Sequence, residues 1–315
     1  MRHITLSGTD LQVSNVIAGM MRIRDKSDAE IRELVAAALD AGINFFDHAD
    51  VYGADYHQCE QRFADALGWS SAQREQVVLQ TKAGIVWSGE GWQYFDFSAA
   101  HLIEAVEGSL KALRTDYIDI LLLHRPDALV EPEEVAEAFS KLEAAGKVRH
   151  FGVSNQTPRQ IDLLKTAVEQ PLIVNQLQLS ITHSPILGQG LATNMLDLDQ
   201  SITRDGGGIV EYCRINDITI QAWSPFQHGF FDGVFLGDRE RNPKLNDVLE
   251  RLAAKYGVEP IAIATAWITR HPGGFQVVLG TTTPTRVTAA AQGSDIELTK
   301  REWYELTHAG GNICP

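Results

Sequence analysis

The sequence has few cysteines, no long apolar run and no cluster of basic residues. Its three cysteines, Cys59, Cys213 and Cys314, are scattered and lack metal-ligand spacing, which argues against a disulfide framework and against a structural zinc site. No apolar run approaches the roughly 18 residues that span a membrane, and the N-terminal residues 1–6 lack the apolar core of a signal peptide. These absences predict a cytoplasmic protein with reduced cysteines and no bound metal.

Acidic residues dominate the charge of the chain. The 315 residues include 41 acidic and 27 basic side chains, which gives a formal net charge of −14 at pH 7. A surface of this sign repels nucleic acids and anionic membranes, so we expect neither as a partner. The expected partner is a small molecule, and the chain is expected to be a monomer or a small homo-oligomer.

Predicted strands and helices alternate along the chain. The eight predicted strands are Val16–Met21, Asn44–Phe46, Val77–Lys82, Ile118–His124, His150–Ser154, Val174–Leu179, Thr219–Trp223 and Phe275–Leu279. Each is followed by a predicted helix. The first helix begins at the capping box of Ser27 and the fifth at that of Thr157. The other six cover Gln58–Leu67, Ala99–Leu113, Pro132–Gly146, Ile209–Asn216, Pro260–His271 and Pro284–Ala291.

Eight such units favour a closed (β/α)₈ barrel, the TIM barrel of the α/β class, over an open doubly wound sheet. Residues 18–22 read Ala-Gly-Met-Met-Arg, so the GxGxxG motif that an open dinucleotide-binding sheet carries after its first strand is missing. We expect one domain over residues 1–315, with a β-hairpin at residues 3–13 capping the bottom and a C-terminal helix.

Two long connections stand out on the side where the strand C-termini emerge, which is the catalytic face of a barrel. They are Ile85–Phe97 and Ser224–Asn242. Their aromatic side chains either line a substrate cleft or pack the loops against the barrel. The segment 183–208 is rich in Gly, Thr and Asp and is predicted to be irregular, and no motif in it indicates a role.

Four chemically capable side chains fall at successive strand ends. Asp47 ends the second predicted strand, Lys82 ends the third and His124 ends the fourth, while Tyr52 follows Asp47 by five positions. Each side chain alone has a structural explanation, as a turn cap, a solvated charge or a satisfied polar group. Together they are harder to explain, since burying Asp, Lys and His costs several kcal/mol unless they pair. The sequence therefore predicts an active site on this rim.

These residue types suit the reduction of a carbonyl group. A tyrosine, with a reference pKa near 10, can donate a proton near neutral pH only if a cation stabilises its phenolate, and Lys82 is that cation. Asp47 would orient Lys82, and His124 would donate to the carbonyl oxygen or orient it. The reaction also needs a hydride donor, which proteins take from a nicotinamide cofactor. An aldolase that forms a Schiff base through Lys82 is an alternative.

Three further motifs carry a resemblance to a known family. They are Gly42–Asp47 followed by Tyr52 and Gly53, Leu122–Pro126 with its His-Arg-Pro sequence, and Gly152–Asn155. On these motifs the chain resembles the aldo-keto reductase superfamily over essentially its full length. The resemblance implies that Asp47, Tyr52, Lys82 and His124 are the catalytic set and that the substrate is an aldehyde or a ketone. Because the superfamily includes potassium-channel β subunits, an NADPH-binding regulatory subunit with little turnover is the alternative.

The resemblance also implies a site for NADPH (NADP⁺). Its implied residues are Gly19, Met20, Ser154, Asn155, Gln176, Trp223, Ser224, Phe226, Gly280, Thr281, Thr282 and Arg286. By the same resemblance, Ser154, Asn155 and Gln176 bind the nicotinamide carboxamide and Trp223 stacks on the ring. Arg286 and the start of its helix bind the 2′-phosphate, which favours NADPH over NADH.

The sequence departs from the family pattern at two places near Arg286. Gly280 stands where many members have a lysine, and Ala289 and Ala290 stand where many have the Glu and Asn that bind the adenine. These departures predict a looser preference for NADPH, with NADH as a second cofactor.

Overall fold

A closed barrel of eight parallel strands forms the centre of the computed structural model, which describes residues 1–203 and 206–314. The strands of the described residues are β1 (His3–Thr5), β2 (Gln12–Ser14), β3 (Val16–Gly19), β4 (Phe45–Asp47), β5 (Val78–Ala83), β6 (Ile85–Trp87), β7 (Gln93–Phe95), β8 (Ile118–Leu123), β9 (Val148–Ser154), β10 (Leu172–Gln178), β11 (Thr219–Trp223) and β12 (Gln276–Leu279). The barrel order is β3, β4, β5, β8, β9, β10, β11 and β12, and β12 pairs with β3 to close it. The predicted (β/α)₈ barrel is confirmed.

Helices surround the barrel. Those of the described residues are α1 (Asp28–Asp40), α2 (Gln58–Leu67), α3 (Ser71–Arg74), α4 (Ala99–Leu113), α5 (Pro132–Ala144), α6 (Pro158–Leu164), α7 (Pro185–Leu191), α8 (Ile209–Ile215), α9 (Pro243–Tyr256), α10 (Pro260–Thr269), α11 (Pro284–Ala291) and α12 (Lys300–Ala309). A large apolar cluster lies between helices and strands, and a smaller one fills the barrel interior. Strands buried on both faces in this way need a nearly continuous apolar sequence. Among the described residues, no helix is both long and apolar enough to cross a membrane.

The N-terminal hairpin closes the bottom of the barrel. Strands β1 and β2 pair in antiparallel fashion, and the buried side chains of Leu6 and Val13 join the interior cluster with Ile17 and Phe45. These side chains fill the space below the barrel strands with apolar atoms. The hairpin thus caps the bottom, as predicted, and α12 is the predicted C-terminal helix.

Helix starts follow the local sequence signals. The Ser27 hydroxyl accepts a hydrogen bond from the Glu30 backbone N–H at 3.3 Å, and the Glu30 carboxylate accepts one from the Ser27 backbone N–H at 2.8 Å. Thr157 opens α6 with the same reciprocal arrangement. Each capping box satisfies backbone donors that a helix start would otherwise leave unpaired, so these boundaries are readable from the sequence.

Two connections contain more secondary structure than predicted. The connection Ile85–Phe97 forms an antiparallel hairpin of β6 and β7 rather than an extended loop. The segment 183–208 is not wholly irregular, because it holds α7 and a 3₁₀ turn at Asp199–Ser201. Residues 204 and 205 of that segment lie outside the described residues.

Helix α9 is absent from the sequence-based prediction, although its signals are present. Pro243 occupies its first turn, and the buried Leu245, Leu249 and Leu252 recur at helical spacing up to the left-handed Gly257. Strand β3 also ends at Gly19 and not at Met21, because the chain turns at residues 21 and 22.

A buried ion pair ties α3 to the barrel. Asp119 lies between Ile120 and Ile118 in β8, and its carboxylate accepts hydrogen bonds from Arg74 Nη2 at 2.7 Å and from the Leu79 backbone N–H at 2.9 Å. The Arg74 guanidinium also donates to the Val77 carbonyl oxygen at 3.0 Å. Because both side chains are buried and their polar atoms are paired, removal of either partner leaves an uncompensated charge.

We expect Arg74→Met to lower the free energy of unfolding by about 3–5 kcal/mol, because Asp119 would stay buried without its principal cation. Arg149→Met is the matched control. Arg149 also contacts Asp119, at 3.2 Å, but its side chain is 50% exposed, so we expect a loss of about 1 kcal/mol or less. Urea unfolding followed by circular dichroism measures both variants, and equal losses would contradict this account of the pair.

Candidate active site

The barrel brings the four predicted catalytic side chains together. Strands β4, β5 and β8 are neighbours, so Asp47, Lys82 and His124 emerge side by side, and the loop after β4 carries Tyr52. Lys82 Nζ donates to both carboxylate oxygens of Asp47, at 2.8 and 2.7 Å, and to the His48 carbonyl oxygen at 2.7 Å. It also lies 3.2 Å from the Tyr52 hydroxyl oxygen. The ammonium group therefore joins the acid to the tyrosine.

Lys82 is fully buried and remains charged. Burial by itself lowers its pKa, but the Asp47 carboxylate and the Tyr52 hydroxyl outweigh burial and leave the pKa raised above 10.5. A Schiff-base lysine must present a neutral amine to the substrate. This charged, enclosed ammonium group disfavours the aldolase alternative.

Tyr52 stays protonated at neutral pH. Burial raises the pKa of its phenol above 10.0, Lys82 lowers it in part, and Asp47 raises it further. Only the lowering of the pKa by Lys82 is expected from the sequence, because burial of the hydroxyl is a property of the fold. Tyr52 is therefore a proton donor whose phenolate would form beside a cation.

His124 is a neutral imidazole beside Tyr52. Burial, and then the charges of Lys82 and Arg125, hold its pKa well below 6.5. The two rings meet edge to face, with centroids 5.8 Å apart. The Nδ1 atom of His124 is buried without a hydrogen-bond partner among the described residues, so the neutral ring would present Nε2 to a substrate.

Two glutamines complete the surroundings of Asp47. Gln80 Nε2 donates to Asp47 Oδ1 at 2.6 Å, and Gln176 Nε2 donates to the same oxygen at 3.0 Å. Gln80 was not predicted from the sequence. Its signal is its position in β5 two residues before Lys82, since alternate residues of a strand face the same side.

The residues predicted to bind the nicotinamide form one hydrogen-bonded group. Asn155 Nδ2 donates to Ser154 Oγ at 2.9 Å, and Trp223 Nε1 donates to Asn155 Oδ1 at 3.1 Å. Ser154 Oγ donates to the Gln176 carbonyl oxygen at 2.9 Å. Because the Gln176 side-chain nitrogen is committed to Asp47, its Oε1 atom is left to accept from a carboxamide. The half-buried Trp223 forms one side of this group.

Four other predicted cofactor residues have clear structural positions. A Cβ atom on Gly19 would lie 2.5 Å from the Leu279 carbonyl oxygen, so close approach of β3 and β12 requires glycine there. The Met20 side chain is buried in the core, which leaves only its backbone for a ligand. Ser224 has a left-handed backbone, with φ of 51°, and Phe226 packs partly against the core.

The predicted 2′-phosphate residues lie together where β12 ends and α11 begins. Gly280 and Arg286 are exposed, and Thr281 and Thr282 are half-buried. Arg22, which the sequence argument did not select, donates from Nη1 to the Gly280 carbonyl oxygen at 3.2 Å. Residue 280 is a glycine and has no side chain, so the Arg22 guanidinium is the cation next to it.

The two alanines that follow Arg286 in α11 pack inward. Ala289 and Ala290 are buried, and Ala290 belongs to the large apolar cluster. Because unpaired polar side chains are costly in such a place, these two positions suit alanine better than the Glu and Asn that the resemblance implies.

A cleft of about 650 Å³ opens beside this group, and its walls include Phe95, Asn155, Gln178, Trp223 and Phe230. Arg125 also lines it, with its guanidinium 5.6 Å from the Trp223 ring centroid and 5.8 Å from that of Phe230. Among the described residues, no carboxylate forms an ion pair with Arg125.

Donors and acceptors at the strand ends fit a nicotinamide dinucleotide. The indole of Trp223 lines the cleft, and Gln176 of the neighbouring strand β10 has an amide oxygen that can accept a hydrogen bond. The cations Arg22 and Arg286 lie where β12 ends and α11 begins. Among the described residues, no group of three or more His, Cys, Asp or Glu side chains could hold a metal ion.

Known proteins resemble this chain along nearly its full length. Residues 15–310 match the model of the aldo/keto reductase family. An uncharacterised oxidoreductase of Bacillus subtilis is 36% identical over 314 residues, covering 97% of each chain. A 6-dehydroglucose reductase of Agrobacterium fabrum is 32% identical over 315 residues, with 97% of each chain covered.

Solved structures give the same result. A glycerol dehydrogenase from Gluconobacter oxydans superposes with a TM-score of 0.76 and 25% identity, covering 98% of this chain and 94% of that one. Since the family model spans nearly all of the sequence and both relatives are similar over nearly their full lengths, the chain belongs to the aldo/keto reductase family.

Proposed function

We propose that the chain, as one domain over residues 1–315, is an NADP(H)-dependent oxidoreductase that reduces an aldehyde or a ketone to the alcohol. One observation carries the proposal: a buried ammonium group, that of Lys82, is bonded to Asp47 and lies 3.2 Å from the hydroxyl of Tyr52. A phenol in this position can release its proton, because the phenolate that forms would be stabilised by the adjacent cation.

Each of the four side chains has a distinct role in this proposal. When bound, the nicotinamide cofactor supplies the hydride that reaches the carbonyl carbon. Tyr52 protonates the carbonyl oxygen, and the neutral His124 donates a hydrogen bond to the same oxygen and orients it. Lys82 stabilises the phenolate left on Tyr52, and Asp47 holds Lys82 charged and in place.

Two groups of residues would bind different parts of the cofactor. Ser154, Asn155 and Gln176 would bind the carboxamide of the nicotinamide, and Trp223 would lie against its ring. Arg286 and Arg22 would bind the 2′-phosphate, which favours NADPH, while NADH lacks the group that these cations recognise.

The Arg125 guanidinium, which forms no ion pair within the described part of the chain, favours a polar substrate. It lies in the cleft one residue after His124, where it can donate hydrogen bonds to hydroxyl groups next to the reacting carbonyl. Two of the relatives are named for their action on hydroxylated compounds, a dehydroglucose and glycerol. Small hydroxylated aldehydes and ketones are therefore the first substrates to test.

The regulatory alternative shares the fold and the cofactor but not the turnover. The complete ion pair, the neutral His124 and the protonated Tyr52 favour the enzyme, because a binding subunit does not require a proton donor beside a buried cation. Measured turnover separates the two functions.

We expect Tyr52→Phe to lower kcat at least about 100-fold, because the variant lacks the proton donor, while the dissociation constant of NADPH stays within a factor of about two. Steady-state oxidation of NADPH, followed at 340 nm, gives kcat. Tyr304→Phe is the control, since Tyr304 is exposed on the C-terminal helix α12. Activity of Tyr52→Phe within a few-fold of the unmodified protein would contradict the role of Tyr52.

We expect Arg286→Ala to weaken NADPH binding by about tenfold to a hundredfold and to leave NADH binding unchanged, because one charge-assisted bond to the 2′-phosphate is lost. Arg22→Ala should act in the same direction. Quenching of tryptophan fluorescence, to which Trp223 would contribute, measures both cofactors. Arg301→Ala is a charge-matched control on the exposed face of α12. Equal losses for NADPH and NADH would contradict the assignment.

A further inference from the structure

A layer of amide side chains crosses the barrel interior just behind the catalytic group. Gln176, Gln221 and Gln276 are direct cross-strand neighbours on β10, β11 and β12, and Gln80 of β5 is the direct neighbour of Asp47 on β4. All four glutamines are at most 3% exposed. Barrel interiors are mostly filled by branched apolar side chains, so this layer needs an explanation.

The four amides form one continuous chain of hydrogen bonds. Gln276 Nε2 donates to the Ser14 carbonyl oxygen at 2.9 Å, and Gln221 Nε2 donates to Gln276 Oε1 at 3.1 Å. Gln221 Oε1 in turn accepts from Gln80 at 2.9 Å and from Gln176 at 3.1 Å. The chain therefore runs from the bottom hairpin to Asp47, which accepts from both of those amides.

The orientation of Gln80 is set by its two acceptors. Its Nε2 atom donates to Asp47 Oδ1 and to Gln221 Oε1, which uses both of its hydrogen atoms. Its own Oε1 is buried and has no hydrogen-bond partner among the described residues. Leaving a buried acceptor unpaired is unfavourable, so the amide adopts this orientation only because a carboxylate, which accepts and does not donate, faces its nitrogen.

We propose that Gln80, oriented by Gln221, is a positioning residue for the Asp47–Lys82–Tyr52 group. This proposal rests on the proposed function. The hydrogen bond from Gln80 partly neutralises the negative charge on Asp47 Oδ1 and fixes the plane of the carboxylate. The carboxylate in turn positions the Lys82 ammonium group within reach of the Tyr52 hydroxyl.

Loss of the Gln80 amide would change the acidity of Tyr52 through the charged groups around the Tyr52 hydroxyl. The groups that face the Tyr52 hydroxyl and ring are Lys82, Asp47, Arg125 and His124. Without Gln80, Asp47 keeps more of its charge and attracts Lys82 more strongly, so less of the positive charge acts on the phenol. Tyr52 becomes a weaker acid, which slows proton donation and moves the alkaline loss of activity to higher pH.

The test compares Gln80→Met with Gln276→Met, which makes the same substitution in the same layer away from Asp47. In Gln80→Met we expect kcat at pH 7 to fall about tenfold, and the basic limb of the kcat profile to move up by about one pH unit. In Gln276→Met we expect kcat within about twofold and an unmoved profile. Equal kinetic effects in the two variants would overturn the proposal.

A second measurement does not depend on turnover. With tyrosine labelled at ¹³Cζ, the signal of Tyr52 is identified by its absence in Tyr52→Phe. We expect this signal to move in Gln80→Met and to stay in place in Gln276→Met. A kinetic change without a shift of the Tyr52 signal would overturn the proposal, because Gln80 acts through Lys82 on that phenol.

Two further results keep the outcomes distinct. If Gln80→Met does not fold, Gln221→Met takes its place, because it removes the acceptor that orients Gln80. It should shift the Tyr52 signal more than Gln276→Met does, and equal shifts in these two variants would overturn the proposal.

If the unmodified protein reduces none of the carbonyl compounds tested, the proposed function fails. The labelled-tyrosine comparison still decides whether Gln80 controls the catalytic group.

Discussion

The buried ion pair of Lys82 and Asp47 is the constraint on which the rest of the site depends. A lysine with no exposed surface stays charged only if acceptors surround it, and here two carboxylate oxygens, the His48 carbonyl oxygen and the Tyr52 hydroxyl do so. The carboxylate needs donors in turn, and Gln80 and Gln176 provide them. Burial of the His124 ring, helped by the same positive charge, holds its pKa low and keeps it neutral. Burial likewise keeps Tyr52 protonated, with Asp47 raising its pKa and Lys82 lowering it.

The barrel interior holds both apolar and polar side chains. Leu6 and Val13 of the hairpin close it from below, and the glutamine amides link the Ser14 carbonyl oxygen at the bottom to Asp47 at the rim. A second buried pair, Arg74 with Asp119, lies outside the strands and joins α3 to β8. The two pairs differ in what surrounds them. Arg74 donates to two backbone carbonyl oxygens, a threonine hydroxyl and Asp119, all of which fix the fold. Lys82 instead reaches the Tyr52 hydroxyl beside the cleft.

The departures from the family pattern near α11 have two different physical explanations. At residue 280 there is no side chain, and the Arg22 guanidinium reaches this place from the end of β3 because β3 and β12 are paired strands. At residues 289 and 290 both alanines are buried in the core. The first departure therefore leaves a cation next to the end of β12, and at the second α11 contributes apolar packing.

Local sequence signals were enough to predict the order of the elements and the set of side chains at the rim. Apolar periodicity, capping boxes and N1 prolines are local signals, so they located the barrel strands and most helices and put Asp47, Lys82 and His124 at successive strand ends; α9 was missed although its signals were local too. The tertiary structure alone decided how these groups interact. Gln80 and Gln221, or Arg22 and Gly280, meet only because barrel closure and strand register set their distance. The raised pKa of Tyr52 likewise follows from burial, and burial is a property of the packed chain rather than of any segment.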